Sequence, residues 1–308
     1  MNQAVAGGLV HSIQARLMNE ARRNNRPFAE LLELFAIERF LHRLGCSPHR
    51  NRFALKGALL LRHWLGSDTR PTRDIDLLGP VALGVEDLRS LLEDIVSIRA
   101  DDGIEFQTDS ITVEPIRVDS PVLGLRAKFS GNLGRTRLRY QVDVGLGDEV
   151  FPPAEDVVPG GLLGFPMASV RAYTPYTTIA EKLQAIVELG EANSRLKDYY
   201  DLAFLPRRIA FDGQLLVESI RRTFQRRSML IPEQVPEGIA DVFSHEAVNA
   251  TRWKAFLRKS SLDQRVSLDL PAIVSEIRRF ALPALNAARD VHPFDAHWPP
   301  GGPWEAET

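Results

Sequence analysis

What most limits the fold of this chain is a change of period. From about residue 9 to 45, apolar residues recur at helical spacing, as with Leu31, Leu32, Leu34, Phe35 and Ile37, then Phe40, Leu41 and Leu44. Beyond residue 100 the period falls to two. The segments IEFQTDSITVEPIRV, LGLRAKFSGNL and TRLRYQVDVGLGD alternate apolar with polar residues, as half-buried antiparallel strands do. From TIAEKLQAIVELG the spacing is helical again to about residue 289. Such an order predicts an α+β architecture: a sheet unit between a helical opening and a helical second half.

Shorter signals fill in the middle. FALKGALLLRHWLG reads as an apolar run, a glycine and a short helix ending at Gly66; the turn-rich SDTRPT follows. IDLLG is then a strand, bounded by Pro71 and Gly79. GVEDLRSLLEDIVSI is an amphipathic helix with Leu88, Leu91, Leu92 and Ile95 on one side. A loop holding Pro152, Pro153, Pro159, Gly160, Gly161 and Pro166 closes the sheet unit. The expected division is therefore residues 1–170, a helical opening plus the sheet core; 171–290, mainly helical; and 291–308, a Pro/Gly-rich tail that is mobile or hugs the surface.

Composition adds exclusions. With 44% hydrophobic and 25% charged residues over 308 positions, the chain has the make-up of a globular protein with a full core. No stretch has the eighteen or so uninterrupted apolar residues of a membrane span, and the N-terminus lacks the pattern of a signal peptide, so the expected location is cytoplasmic, without a membrane partner. The single cysteine, Cys46, is expected to be a buried spectator thiol. A net charge of −2 gives no global attraction to nucleic acid, so such contact has to be local. Candidates are the arginine clusters, above all Arg221, Arg222, Arg226 and Arg227, which serve equally well as a solvated helix face.

The chemistry centres on RPTRDIDLLG. Residues two apart on a strand share a face with Cα atoms roughly 6.5–7 Å apart, so Asp74 and Asp76 project together while Ile75 enters the core and Leu77 and Leu78 continue the buried strand. Two neighbouring carboxylates raise each other's pKa unless a cation compensates them, and a hard divalent ion such as Mg²⁺ is the natural compensation. Asp-x-Asp also occurs as a turn or cap, so further residues matter. Gly57 permits a backbone N–H to approach a phosphate at a helix start, or simply makes a tight turn. In LRYQVDVGLGD, Asp143 lies on the face opposite Val142 and Val144 and is a candidate third carboxylate for a pair of ions, or an exposed strand residue. Lys182 sits at the edge of an apolar helical stripe and can neutralise triphosphate charge. In RLKDYYDL, Asp198 and Asp201 lie on a helix apolar on more than one side; one of them can pair with Lys182 or orient an acceptor, and a surface salt bridge is the plainer reading.

Together, FALKGALLLRHWLGSDTRPTRDIDLLG, YQVDVGLGD, TIAEKLQAI and RLKDYYDL resemble the AbiEii/AbiGii nucleotidyltransferase-like toxin family, over about residues 10–290. That resemblance implies a DNA polymerase β-type nucleotidyltransferase core with a mixed sheet, acting as the toxin of a toxin–antitoxin pair whose antitoxin is encoded nearby. By position, Gly57 falls in the glycine motif, Asp74 and Asp76 in the metal motif, Lys182 in the third motif and Asp198 in the fourth. The glycine motif departs from the usual Gly-Gly or Gly-Ser by reading Gly57-Ala58. The resemblance further implies transfer of nucleotides from an NTP to the 3′ end of tRNA.

The expected mechanism has Asp74, Asp76 and Asp143 as ligands to Mg²⁺, or alternatively Mn²⁺, with Lys182 on the phosphates, Arg73 assisting beside the metal motif and Asp198 holding Lys182 or the acceptor. Thr72, two residues before Asp74, has a hydroxyl at which a phosphate would compete with substrate. Rival readings are nucleotide transfer to a protein or small molecule, a glycosyltransferase, and a non-catalytic binding protein.

Overall fold

The computed structural model describes residues 3–66, 69–116 and 124–306. Positions 67–68 of the expected turn, the strand ends at 117–118 and 123, and the tail residues 307–308 lie outside them. The chain divides into two compact units, one of residues 1–63, 71–147 and 155–172, the other of 64–70, 148–154 and 173–308.

The first unit is built on a seven-stranded mixed sheet. Its strands are β1 (Ala54–Lys56), β2 (Asp74–Gly79), β3 (Ile104–Pro115), β4 (Gly124–Leu133), β5 (Thr136–Leu146), β6 (Glu155–Val157) and β7 (Val170–Ala172). They are ordered β3-β4-β5-β2-β1-β7-β6; β2 runs parallel to β5 and β1 parallel to β7, and the other neighbours are antiparallel. The period-two segments form the long meander β3–β5, as their alternation requires. One sheet face is apolar, with Ile75, Ala127, Val142 and Val144 at 0% exposure, and removal of Ile75, Val142 or Val144 from water contributes about 1.5–3 kcal/mol each.

Helices α1 (Gln3–Arg23), α2 (Phe28–Cys46) and α4 (Val85–Ser97) accompany this sheet, with the short α3 (Ala58–Leu65) following β1. The stripe of α2 delivers Phe35 and Phe40 to the core, and the Phe40 ring lies 5.6 Å from that of Phe129 on β4. In α4, Asp87 accepts the Gly84 N–H at 3.2 Å, and acids in the first turn suit the helix dipole. Charged residues of α2 are buried too. Arg43 meets Asp102 through two hydrogen bonds of 2.6 and 3.0 Å, and Glu38 accepts the Leu162 N–H at 2.9 Å. Arg39 donates to the Pro166 carbonyl, which, with Glu38, fastens the Pro/Gly-rich loop to α2. Cys46, expected to be buried, is exposed: it is the last residue of α2, where the apolar stripe has run out.

The second unit is mainly helical: α5 (Pro175–Leu189), α6 (Leu196–Phe204), α7 (Gly213–Arg226), α8 (Asp241–His245), α9 (Ala247–Lys259) and α10 (Leu270–Asp290). Asp212 and Asp269 cap α7 and α10, accepting the Leu215 and Ala272 N–H groups at 2.8 and 3.0 Å. The helical run is interrupted by β8 (Phe211–Asp212), which pairs with β9 (Ala296–Trp298), itself paired with β10 (Glu305–Ala306). Much of the tail is therefore structured. Trp298 is 2% exposed, its indole N–H donating to the Pro206 carbonyl, and Trp304 stacks on Phe280. Strands of two or three residues are too short to leave a period in the sequence. Among the described residues no helix is long and apolar enough to cross a membrane.

Candidate active site

The polar face of the sheet collects the acids. Along β2, Ile75 and Leu77 point into the core while Asp74 is exposed and Asp76 half-buried on the other face. Leu78, expected in the core, shares the face of the aspartates and is half-buried, as strict alternation demands. The parallel register sets Asp74 beside Gln141 and Asp76 beside Asp143, and the antiparallel register sets Lys56 on the other flank of Asp76. Asp143 in turn faces Arg126 of β4. One row across four strands thus reads Lys56, Asp76, Asp143, Arg126, two acids between two bases.

Gly57 closes over this row. It precedes α3 with φ +76°, and a Cβ there would overlap the Asp76 carboxylate, lying 2.9 Å from its Cγ. The glycine is required both by its left-handed backbone and by this close approach. Asp143 accepts hydrogen bonds from Arg126 Nε at 2.8 Å and Nη2 at 2.7 Å, a bidentate pair. Arg73 pairs with Glu33 of α2 at 2.9 Å, and the Thr72 hydroxyl donates to the Asp74 carbonyl at 3.2 Å. The Asp74 side chain makes no hydrogen bond or ion pair with another described residue.

Lys182 and Asp198 belong to the second unit, where they meet. Lys182 Nζ on α5 is 2.7 Å from Asp198 Oδ1 and 2.7 Å from Asp201 Oδ2, and both acids on α6 are buried. Arg70 grips Asp201 through Nε at 3.0 Å and Nη2 at 2.9 Å, and Arg195 lies 3.1 Å from Asp198. Burial opposes the charge on Lys182, but Asp198 and Asp201 outweigh it and hold its pKa above the ordinary value. Burial likewise opposes ionisation of Asp201, but Arg70 and Lys182 keep its pKa below the usual carboxylate range. The sequence allowed one of the two acids to pair with Lys182; both do. Arg70 gave no signal, because its partner is 131 residues away.

The arginines of α7 are largely committed to acids of their own unit. Arg221 and Arg222 both bond to Glu218, Arg222 also bonds to Glu149 at 2.8 Å and stacks on Phe151, and Arg227 reaches Gln184 and Asp148.

Among the described residues no group of three His, Cys, Asp or Glu side chains is spaced to hold a metal ion. Asp74 and Asp76 nevertheless fit Mg²⁺, which is commonly held by one or two carboxylates and completes its shell from water and substrate phosphate. Asp143 is engaged by Arg126 and joins such a set only after exchanging that partner.

Two solved structures from Helicobacter pylori resemble the chain. One, described as a candidate nucleotidyltransferase, is 16% identical, with a TM-score of 0.45 over 86% of this chain and 99% of its own. The other, JHP933, is 12% identical, with a TM-score of 0.45 over 85% and 93%. Among curated proteins none matches. The model of the nucleotidyl transferase AbiEii toxins of type IV toxin–antitoxin systems matches residues 39–279, well over half of the chain, and spans Gly57, both strand aspartates of β2, Asp143, Lys182 and Asp198. The chain thus belongs to the AbiEii nucleotidyltransferase toxin family.

Proposed function

We propose that this toxin transfers a nucleotide from an NTP to the 3′ end of tRNA, the terminal hydroxyl displacing pyrophosphate at the α-phosphorus, and so blocks translation until its neighbouring antitoxin counters it. The reading rests on one observation above others: Asp74 and Asp76 share a strand face, Asp143 stands in register beside Asp76, and the bare Cα of Gly57 lies over the Asp76 carboxylate. Asp74 and Asp76 would hold Mg²⁺, or Mn²⁺ in its place. Bound there, the ion supplies charge neutralisation at the triphosphate and acidifies the attacking hydroxyl.

The chain's own groups do the rest. Gly57 leaves space at the start of α3, where backbone N–H groups favour an anion. Arg73 adds a cation next to Asp74. In the second unit Lys182 is kept charged by its two acids, with Asp198 as the residue that positions it; its assignment to the phosphates comes from the family resemblance. Asp143 serves as third carboxylate once Arg126 lets go.

Incubating the pure protein with Mg²⁺, each labelled NTP in turn and total tRNA tests the reading. Label is expected in tRNA, and Asp74→Ala is expected to stay folded and abolish it. Label in protein or small molecules instead would favour the other acceptors, and wild-type transfer by Asp74→Ala would remove the assignment of the acid pair.

A further inference from the structure

The cations of this protein differ in how far they are already spoken for. Arg221 and Arg222 of α7, and Arg227 just after it, carry acid partners. The side chains of Arg137 and Arg139 on β5 are exposed and make no hydrogen bond or ion pair with a described residue. By alternation they share a strand face with Gln141 and Asp143, and Gln141 is the residue that stands beside Asp74. Arg139 is therefore about 6.6 Å along β5 from the neighbour of the acid pair, and Arg137 the same step further.

A cavity of about 510 Å³ occupies this stretch, wholly within the first unit. Asp74 lies in its lining with four cations, Arg73, Lys128, Arg137 and Arg139, and Glu33 stands on the α2 side. Glu33 and Glu114 are the partners of Arg73 and Lys128, through pairs whose cation side chains are 78% and 54% exposed. Such exposed pairs are weak and are readily exchanged for a stronger anion. The cavity lies within the roughly 300–1,000 Å³ range of small-ligand pockets, room enough for a terminal nucleotide.

Strand order separates two approaches to the acids. β1, with Gly57 at its end, flanks β2 on one side, and β5 flanks it on the other. The Gly57 side suits the triphosphate of the donor, for the reasons given above. Resting on the nucleotidyltransferase reading, we propose that the β5 side is the acceptor subsite, where Arg137 and Arg139, with Lys128 and Arg73, grip the phosphodiester backbone of a single-stranded RNA 3′ end and lead its last hydroxyl to Asp74. Guanidinium groups match phosphate in a bidentate fork, and two of them in line along one strand follow a chain of phosphates rather than a single anion. On this account β5, and not α7, is the RNA-binding element.

Binding of a short fluorescein-labelled single-stranded RNA, followed by anisotropy in a salt series without metal or NTP, tests the assignment. The Arg137→Gln/Arg139→Gln chain loses two phosphate contacts, so the slope of log K against log salt should become shallower by about 1.4. The gain in affinity on lowering salt from ~200 to ~50 mM then shrinks about sevenfold relative to the unaltered chain. NTP binding and the melting temperature should stay as they were, because neither guanidinium bonds to a described residue. An unchanged slope in this variant, or a comparable loss in Arg221→Gln/Arg222→Gln instead, would overturn the subsite and leave the nucleotidyltransferase reading standing. Failure of the unaltered chain to bind RNA, with NTP binding intact, would overturn the RNA acceptor and the subsite together.

Discussion

Replacing Lys182 with methionine separates a structural role for this residue from a chemical one. Its ammonium sits 2.7 Å from both Asp198 and Asp201, whose side chains are 2% and 0% exposed. Methionine fills the stem of the side chain but leaves two buried carboxylates facing Arg70 on one side and the half-exposed Arg195 on the other. Breaking a buried pair by removing one partner costs about 3–5 kcal/mol. Urea unfolding should show the free energy of unfolding lower by an amount in that range, the midpoint falling at constant slope. Asp198→Asn should cost less alone, and the double variant less than the sum, because the neutral amide that replaces the carboxylate no longer needs the ammonium. The pH dependence follows from the two shifts. The raised pKa of Lys182 gives a contribution fully present below 10.5 and lost as pH rises through the folded value. The lowered pKa of Asp201 gives one present above 3.8 and lost as pH falls through the folded value. Between about pH 5 and 9 the network's contribution is therefore flat in the unaltered chain. In Lys182→Met the two buried acids lose the ammonium that favours their ionisation, and the deficit should grow as pH rises. A loss under about 1 kcal/mol would refute the network as a balanced buried unit, and loss of activity in Lys182 variants would then point to chemistry alone.

Three further substitutions probe single contacts. Burial pushes Glu38 from 4.5 up to about 7, against the opposing Leu162 N–H, so stability is greatest below 4.5 and declines as pH rises through 7, by up to about 3 kcal/mol; Glu38→Gln should abolish that decline, and equal stability of the unaltered chain in unfolding at about pH 5 and 8 would contradict it. Gly57→Ala puts a side chain in the left-handed region at about 1–2 kcal/mol and presses on Asp76, so nucleotide transfer should fall far more than the melting temperature; transfer at the unaltered rate would show that Gly57 does not shape the site. Arg126→Gln frees Asp143, and the Mg²⁺ concentration for half-maximal transfer should drop severalfold; no change would remove Asp143 from the ligand set.

The elements were legible wherever a period had room to repeat. Eleven residues of β5 and thirteen of α4 announce themselves through alternation and the helical stripe, and each lies where that pattern sets it. β8, β9 and β10 have two or three residues and no such room; what holds them is Trp298 under Pro206 and Trp304 on Phe280, contacts between distant parts of the sequence. Leu78 shows the same limit within one strand. Its hydrophobicity suggested the core, but its position two residues after Asp76 fixes it to the polar face.

The candidate site was legible along each strand and illegible between strands. Spacing alone puts Asp74 with Asp76 on one face, and alternation frees Asp143 from the valines. Which residues stand beside them depends on register, and so Lys56 and Arg126 emerge only when β1, β2, β5 and β4 are laid side by side. The arginines carry a sharper lesson. Density along the sequence singled out IRRTFQRR, yet Glu218 sits three and four residues before Arg221 and Arg222 on the same helix, within the reach that helical geometry gives. Arg137 and Arg139 are sparser but stand on a strand whose same-face neighbours within the strand are Gln141 and only then Asp143. A cation is available to a polyanion when no acid lies one helical turn away or directly across the ladder. Across the ladder Arg139 meets Ser130 and Arg137 meets Asn132, neither of them charged, so among the described residues β5 presents two open guanidinium groups where the denser cluster on α7 does not.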